Sequence, residues 1–208
     1  MTETEKTLKK DFNFIASFVK SNLHQNFSNR IFWNKNRLYA TNGSIFIWKE
    51  TEENPAGFSA WQIENKSCTE IKDKEQLQYL FICNFDNRLL RHYYNFNTVF
   101  NFSWDMEVPF PFKLCSDKKK KKDFCTFDTE SKELVITFED DEVKAFYGDF
   151  MTDIDGKQNI TIPFWIMKLI LKKTKTFKAY IGIAQEGNGF IKISFGKWNI
   201  LTVQRTGK

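Results

Sequence analysis

Arg37-Leu38-Tyr39-Ala40-Thr41-Asn42-Gly43-Ser44-Ile45-Phe46-Ile47 decides how the rest of the chain is read. Asn42-Gly43 is a strong signal for a tight hairpin, because both residues tolerate positive φ. Arg37 to Thr41 is therefore one strand and Ser44 to Lys49 its return. Upstream, Arg30 to Trp33 is another strand, turned by Asn34-Lys35-Asn36. Downstream, Asn54-Pro55-Ala56-Gly57 makes a loop and Phe58 to Glu64 a further strand. Ahead of the strands, Glu5 to Asn22 reads as a helix, with Leu8, Phe12, Ile15 and Val19 at spacings of three and four and Phe18 beside them. The Asn-rich stretch from Asn22 to Asn29 ends it.

The C-terminal part repeats this plan. Ile160 to Ile162 is a short strand, and Pro163 suits the first turn of a helix, where its missing N–H costs nothing. Phe164 to Thr174 follows as that helix, with Ile166, Leu169 and Ile170 on its apolar face. Lys178 to Ala184 is a strand, Gly187-Asn188-Gly189 a turn, Phe190 to Phe195 a strand, Gly196-Lys197 a tight turn and Trp198 to Val203 the last strand. Laying Arg37–Ile47 over Phe190–Ile200 puts Gly43 on Gly196, a match of pattern at low identity. The middle holds a third candidate unit. Asn84 to Asn97 carries Phe85, Leu89, Leu90 and Tyr93 at helical spacing, with Asp86 as a possible N-cap. Val108-Pro109-Phe110-Pro111 and a lysine run follow. Leu134, Ile136 and Phe138 then alternate, Asp140-Asp141 turns, and Val143, Ala145 and Tyr147 alternate back.

The chain has 208 residues, room for one large domain or two small ones with a real core. Its 23 Phe, 6 Trp and 6 Tyr argue against intrinsic disorder. No apolar run reaches the roughly 18–20 residues that span a bilayer, so no membrane partner is expected. Met1 to Lys10 is charged and lacks the apolar stretch of a secretory signal. Cys68, Cys83, Cys115 and Cys125 form no CxxC pair, so they read as reduced thiols in a cytoplasmic chain. A zinc site with His24 or His92 is the sharper but poorly supported alternative. With 31 Lys+Arg against 26 Asp+Glu, the net charge of +5 permits nucleic-acid binding without establishing it.

Enzymatic signatures are missing. There is no GxxxxGK[ST] or GxGxxG loop, no GxSxG elbow and no HExxH. The acidic run Glu139 to Glu142 sits on a hairpin turn, where carboxylates are solvated. No catalytic residue, metal or cofactor is therefore expected.

Arg37-Leu38-Tyr39-Ala40-Thr41-Asn42-Gly43 resembles the strand–turn signature of DNA sliding clamps, the bacterial DNA polymerase III beta subunits and their phage relatives. Those carry Ala-Thr-Asp-Gly, and here Asn42 replaces the Asp, which keeps a residue suited to the turn. Gly57-Phe58-Ser59-Ala60-Trp61-Gln62-Ile63 resembles the next strand of the unit, Phe85-Asp86-Asn87-Arg88-Leu89-Leu90 the start of a second clamp helix, and Ile160-Thr161-Ile162-Pro163 through Val203 a later strand–helix–three-strand unit. The resemblance implies an α+β fold of antiparallel sheets with helices on one face, in repeated βαβββ units. It divides the chain into a clamp-like N-terminal half at residues 1–75, a middle unit with the lysine-rich loop at 76–157 and a clamp-like C-terminal unit at 158–208. In such clamps two units make a domain. Six domains close a ring around duplex DNA, sheets outside and helices lining the hole. Two departures stand: two good units and one doubtful one are legible where two full domains need four, and Gln204-Arg205-Thr206-Gly207-Lys208 lacks the Met-Pro-Met tail of many bacterial clamps.

The function this implies is a non-enzymatic processivity or scaffold factor. It is phage-like, homo-oligomeric, and acts in the cytoplasm of a bacterium or phage-infected host. Its partners are double-stranded DNA and a DNA polymerase or other replication protein. Lys6, Lys9, Lys10 and Lys20 on the first helix and Lys168, Lys172 and Lys173 on the last are the candidate phosphate contacts. The plainer reading gives them the solvent face of amphipathic helices. Lys118, Lys119, Lys120, Lys121 and Lys122 read as a solvated loop tip or as a phosphate-contacting loop without sequence preference. Two other functions compete: a monomeric clamp-like protein-interaction module that binds no DNA, and a single-strand binder using the lysine loop and exposed tryptophans; of Trp33, Trp48, Trp61, Trp104, Trp165 and Trp198 most read as core, and Trp61 and Trp104 lie nearest to loops.

Overall fold

A computed structural model describes residues 3–19, 29–42, 45–64, 67–82, 97–103, 124–128, 133–137, 142–145, 150–151, 159–183 and 189–203. In chain order the elements are α1 (Glu3–Val19), β1 (Arg30–Asn34), β2 (Arg37–Thr41), β3 (Ile45–Glu50), β4 (Phe58–Glu64), β5 (Ser67–Glu70), α2 (Lys74–Ile82), β6 (Asn97–Ser103) and β7 (Phe124–Asp128). They continue with β8 (Glu133–Thr137), β9 (Glu142–Ala145), β10 (Phe150–Met151), β11 (Asn159–Pro163), α3 (Phe164–Leu171), β12 (Thr176–Ile183), β13 (Gly189–Phe195) and β14 (Trp198–Val203). The chain forms two compact units, Met1–Tyr94 with Lys197–Thr202, and Asn95–Gly196 with Val203–Lys208. No helix among the described residues is long and apolar enough to cross a membrane.

In the first unit the strands lie in the order β14-β3-β2-β1-β4-β5. β14 joins because its apolar alternation matches that of β3: Ile200 stands opposite Ile47, which stands opposite Ala40, and all three are fully buried. Ile31 stands opposite Trp61 on the same side. α1 covers this face, burying Phe14, Ile15, Phe18 and Val19 and setting Phe14 4.8 Å from Trp198 and Phe12 4.8 Å from Trp61. The opposite face is aromatic. Phe32 stacks on Tyr39 at 5.3 Å, Tyr39 meets Phe46 at 5.6 Å and Phe46 meets Trp48 at 5.2 Å. α2 reaches that side through Phe81, edge-on to Phe58 at 5.3 Å. Burial on both faces explains why β2 and β3 read as nearly continuous apolar runs.

In the second unit β10, β6, β12 and β13 lie side by side, and a second sheet has the order β11-β7-β8-β9. Phe127 of β7 meets Phe177 of β12 at 6.4 Å, edge to face, so these two residues join the sheets. α3 packs on β11 and β7 and buries Phe164, Ile166, Met167 and Ile170.

The hairpin around Asn42, the 54–57 loop, β4 and β14 stand where the sequence puts them. The expected 134–147 hairpin is β8 and β9, with Leu134 opposite Ala145 and Ile136 opposite Val143. The first helix begins at Glu3 and is described to Val19, and Pro163 is the N-cap of α3 (φ −53°, ψ 129°) rather than part of its first turn. α3 ends at Leu171, where Lys173 and Thr174 both donate backbone N–H bonds to the Ile170 carbonyl and close the turn. β5, α2, β6, β7 and β10 have no counterpart in the sequence reading. Residues 84–96 of the expected middle helix, with Asp86, lie outside the described residues, as do 108–111 and the turn at 140–141; Asn97 opens β6.

Candidate nucleic-acid interface

α1 is amphipathic because its apolar residues recur at spacings of three and four, and the exposed face left over carries Lys9, Lys10, Asn13 and Ser17. Lys6 lies one turn earlier in the same helix, and Lys20 falls outside the described residues. Glu3, Glu5 and Asp11 match Lys6, Lys9 and Lys10 in number, so α1 is not basic as a whole. Asp11 is turned inward. Its Oδ2 accepts a hydrogen bond from Lys49 Nζ, and that ammonium sits 5.4 Å from the centre of the Trp198 ring. The contact pins α1 to β3 and β14. It also satisfies one carboxylate within the unit, leaving Lys9 and Lys10 as outward charge.

The end of α1 is held by the hairpin that opens the sequence argument. Asn42 is buried; its Nδ2 donates to the Phe18 carbonyl at 3.4 Å and its Oδ1 accepts from the Ile45 N–H at 2.9 Å. Thr41 Oγ1 donates to the Ile45 carbonyl at 2.8 Å. The turn and the presentation of the α1 lysines are thus one construction.

α3 is apolar nearly all round: besides its buried residues, Trp165, Leu169 and Leu171 are half-buried, and Lys168 is its one charged residue. Lys168 is itself half-buried, whereas Lys172 and Lys173 are exposed and sit in the turn beyond the helix rather than on it. Cations there also complement the negative end of the helix dipole, a structural role that coexists with a phosphate contact. Lys175 and Lys178 continue the series, both exposed. Residues 159–183 hold five lysines (Lys168, Lys172, Lys173, Lys175 and Lys178) and no carboxylate. Residues 189–203 add Lys192 and Lys197, again without a carboxylate. Among the described residues positive charge is therefore concentrated in the C-terminal segment.

Sequence reasoning passed over Lys175, Lys178 and Lys192. Their signal was the alternation in β12 and β13, where buried Phe177, Ala179, Ile191 and Ile193 leave Lys178, Tyr180, Lys192 and Ser194 on the other face. Lys192 Nζ lies 5.2 Å from the Tyr180 ring centre, and partial burial pushes its ammonium below the usual lysine range. In the first unit burial likewise lowers the Arg30 guanidinium, with Tyr79 acting the other way. Lys118, Lys119, Lys120, Lys121 and Lys122 lie outside the described residues. α1 belongs to the first unit and α3 to the second. Among the described residues no group of three His, Cys, Asp or Glu side chains is placed to hold a metal ion; Cys68 lies in β5 and Cys125 is buried in β7, and His24, His92, Cys83 and Cys115 lie outside the described residues.

No protein-family model and no curated protein sequence matches the chain. Solved structures do. The Helicobacter pylori beta clamp bound to a DNA ligase peptide is similar over 97% of this chain and 64% of its own, at 12% identity and a TM-score of 0.59. The Caulobacter crescentus beta sliding clamp matches over 96% and 64%, at 8% identity and 0.58. A putative DNA polymerase III beta subunit from Eubacterium rectale matches over 98% and 64%, at 12% identity and 0.52. The fold is that of a sliding clamp, and the chain spans a little under two-thirds of the length of these structures.

Proposed function

We propose that this chain, with its sliding-clamp fold, is a non-enzymatic clamp that closes into a homo-oligomeric ring around duplex DNA and tethers a polymerase or another replication protein. The observation that carries the reading is the likeness of fold, which runs through 96–98% of the chain rather than one motif. The lysine-rich, carboxylate-free segment 159–183 supports it, because a sliding ring needs phosphate contacts that hold no base. Lys9 and Lys10 from α1 and Lys172 and Lys173 after α3 are the contacts we assign, with Lys6 and Lys168 beside them in their helices. The DNA ligase peptide on the Helicobacter pylori clamp makes a short peptide the model for the tether.

Order of addition tests encirclement. The protein is mixed with linear duplex whose biotinylated ends are capped with streptavidin either before or after mixing. A ring threads over free ends, so capping afterwards traps it against a salt wash, and capping beforehand excludes it. Binding that the salt wash removes equally in both orders would show side-on binding and overturn the ring.

A further inference from the structure

Asn42 is followed by Gly43, and Asn-Gly is the pair most open to one backbone reaction. With no side chain on the glycine, its amide nitrogen reaches the asparagine side chain unhindered. The chain holds this pair twice, at Asn42-Gly43 and at Asn188-Gly189. In the fold Asn42 is buried and its amide is held at both ends. Oδ1 accepts the Ile45 N–H at 2.9 Å, and Nδ2 donates to the Phe18 carbonyl at 3.4 Å, the longer of the two bonds. The backbone N–H of Asn42 donates to the Ile45 carbonyl at 3.2 Å, and Thr41 beside it is buried as well. Phe18 lies in the last described turn of α1. The end of that helix therefore rests on a side chain whose sequence makes it reactive.

We propose that Asn42 is a deamidation site guarded by the end of α1, so that opening of that contact exposes it to irreversible conversion. The Gly43 nitrogen attacks Asn42 Cγ and a C–N bond forms between them. The Cγ–Nδ2 bond breaks, and Nδ2 leaves as ammonia with the proton that the Gly43 nitrogen gives up. Water then opens the resulting succinimide at either carbonyl, giving aspartate or isoaspartate in place of Asn42. Attack needs the amide free to turn and water free to enter, and a buried amide pinned at both ends offers neither. Of the two pins, the Ile45 bond belongs to the hairpin itself, whereas the Phe18 bond comes from a helix 24 residues away in sequence. Helix ends open more readily than paired strands, so the Phe18 bond opens first. The conversion does not reverse the opening. A carboxylate has no proton to give back to the Phe18 carbonyl, and isoaspartate lengthens the backbone between β2 and β3 by a methylene. A transient opening of α1 thus becomes a permanent one.

Peptide mapping by mass spectrometry tests it, following both Asn-Gly pairs while the protein stands in mildly alkaline buffer, either folded or unfolded in urea. Asn188 shares the buffer, the temperature and the chemistry. In denaturing urea the two pairs should convert at rates within about twofold of each other, because no fold distinguishes them. In the folded protein Asn42 should convert at least about tenfold more slowly than it does in urea. Loosening α1 should remove that protection. Lys49→Met, which takes from Asp11 the ammonium that pins α1 to the sheet, is expected to speed conversion of Asn42 at least about threefold. Urea below the unfolding transition should do the same in the wild type, so the test stands even if the variant does not fold. Asn42 converting as fast in the folded protein as in urea would overturn the proposal, as would a folded Lys49→Met protein that converts no faster than wild type. Protection lost only together with the global transition would overturn it too, because the whole fold and not the end of α1 would then be the guard. None of these results bears on the capped-duplex experiment, so the two readings fall separately.

Discussion

Asn42 does more than permit a turn. The clamp pattern carries Asp at this place, and either residue suits the backbone. Here, though, the amide Nδ2 donates to the Phe18 carbonyl while Oδ1 takes the Ile45 N–H. A carboxylate can keep the second bond and not the first, and it would set negative charge against a carbonyl oxygen in a buried place. Asn42→Asp is expected to cost about 1–3 kcal/mol, read as a lower urea midpoint with an unchanged m-value. An unchanged midpoint would show that the Phe18 contact contributes nothing. Lys49 makes a comparable case. It and Asp11 are 15% and 14% exposed, so Lys49→Met strands a nearly buried carboxylate, at an expected cost of about 3 kcal/mol. Adding Asp11→Leu should recover most of that loss, since an apolar pair of similar volume replaces a desolvated ion pair. A double variant as unstable as the single one would locate the loss in packing against Trp198 instead.

At the scale of elements, turn chemistry and apolar alternation were legible, and elements without either were not. The hairpins at Asn42 and Gly196 were readable because turn chemistry is local, and Gly196 takes the positive φ, +55°, that its turn requires. β5 was not, because Ser67-Cys68-Thr69-Glu70 has no apolar alternation; it is a strand only because β4 offers it an edge, with Ile63 opposite Cys68. α2 was hidden for a related reason. Lys74-Glu75-Gln76-Leu77-Gln78-Tyr79-Leu80-Phe81 has no clean helical stripe, and Tyr79 and Phe81 stay half exposed beside buried Leu80. Its start is set locally, where Asp73 Oδ1 accepts the Gln76 N–H at 2.9 Å as an N-cap would. For the candidate interface, the sequence placed Lys172 and Lys173 on a helix, and the early closure on Ile170 moved them to its end. That move sharpens a prediction. If the end of α3 touches phosphate, Lys172→Gln and Lys173→Gln should each flatten the logarithmic salt dependence of duplex binding by about 0.9. Lys9→Gln and Lys10→Gln, from a helix whose acids offset its lysines, provide the comparison. A slope unchanged in all four variants would remove both helices from the interface.

At the scale of the molecule, the stoichiometry of a ring follows from counting. The resemblance calls for six domains around the DNA. If each of the two compact units of this chain answers to one such domain, the proposed ring closes from three copies. Light scattering during size-exclusion chromatography should then give about three times 24.7 kDa. Dilution should move that mass toward the single chain, because closure through three equivalent interfaces depends steeply on concentration. A mass of twice the chain that resists dilution would contradict two units per copy in a six-domain ring. A 24.7 kDa species persisting at high micromolar concentration would remove self-closure altogether, and would leave the basic C-terminal segment acting on nucleic acid or on a partner from a single module.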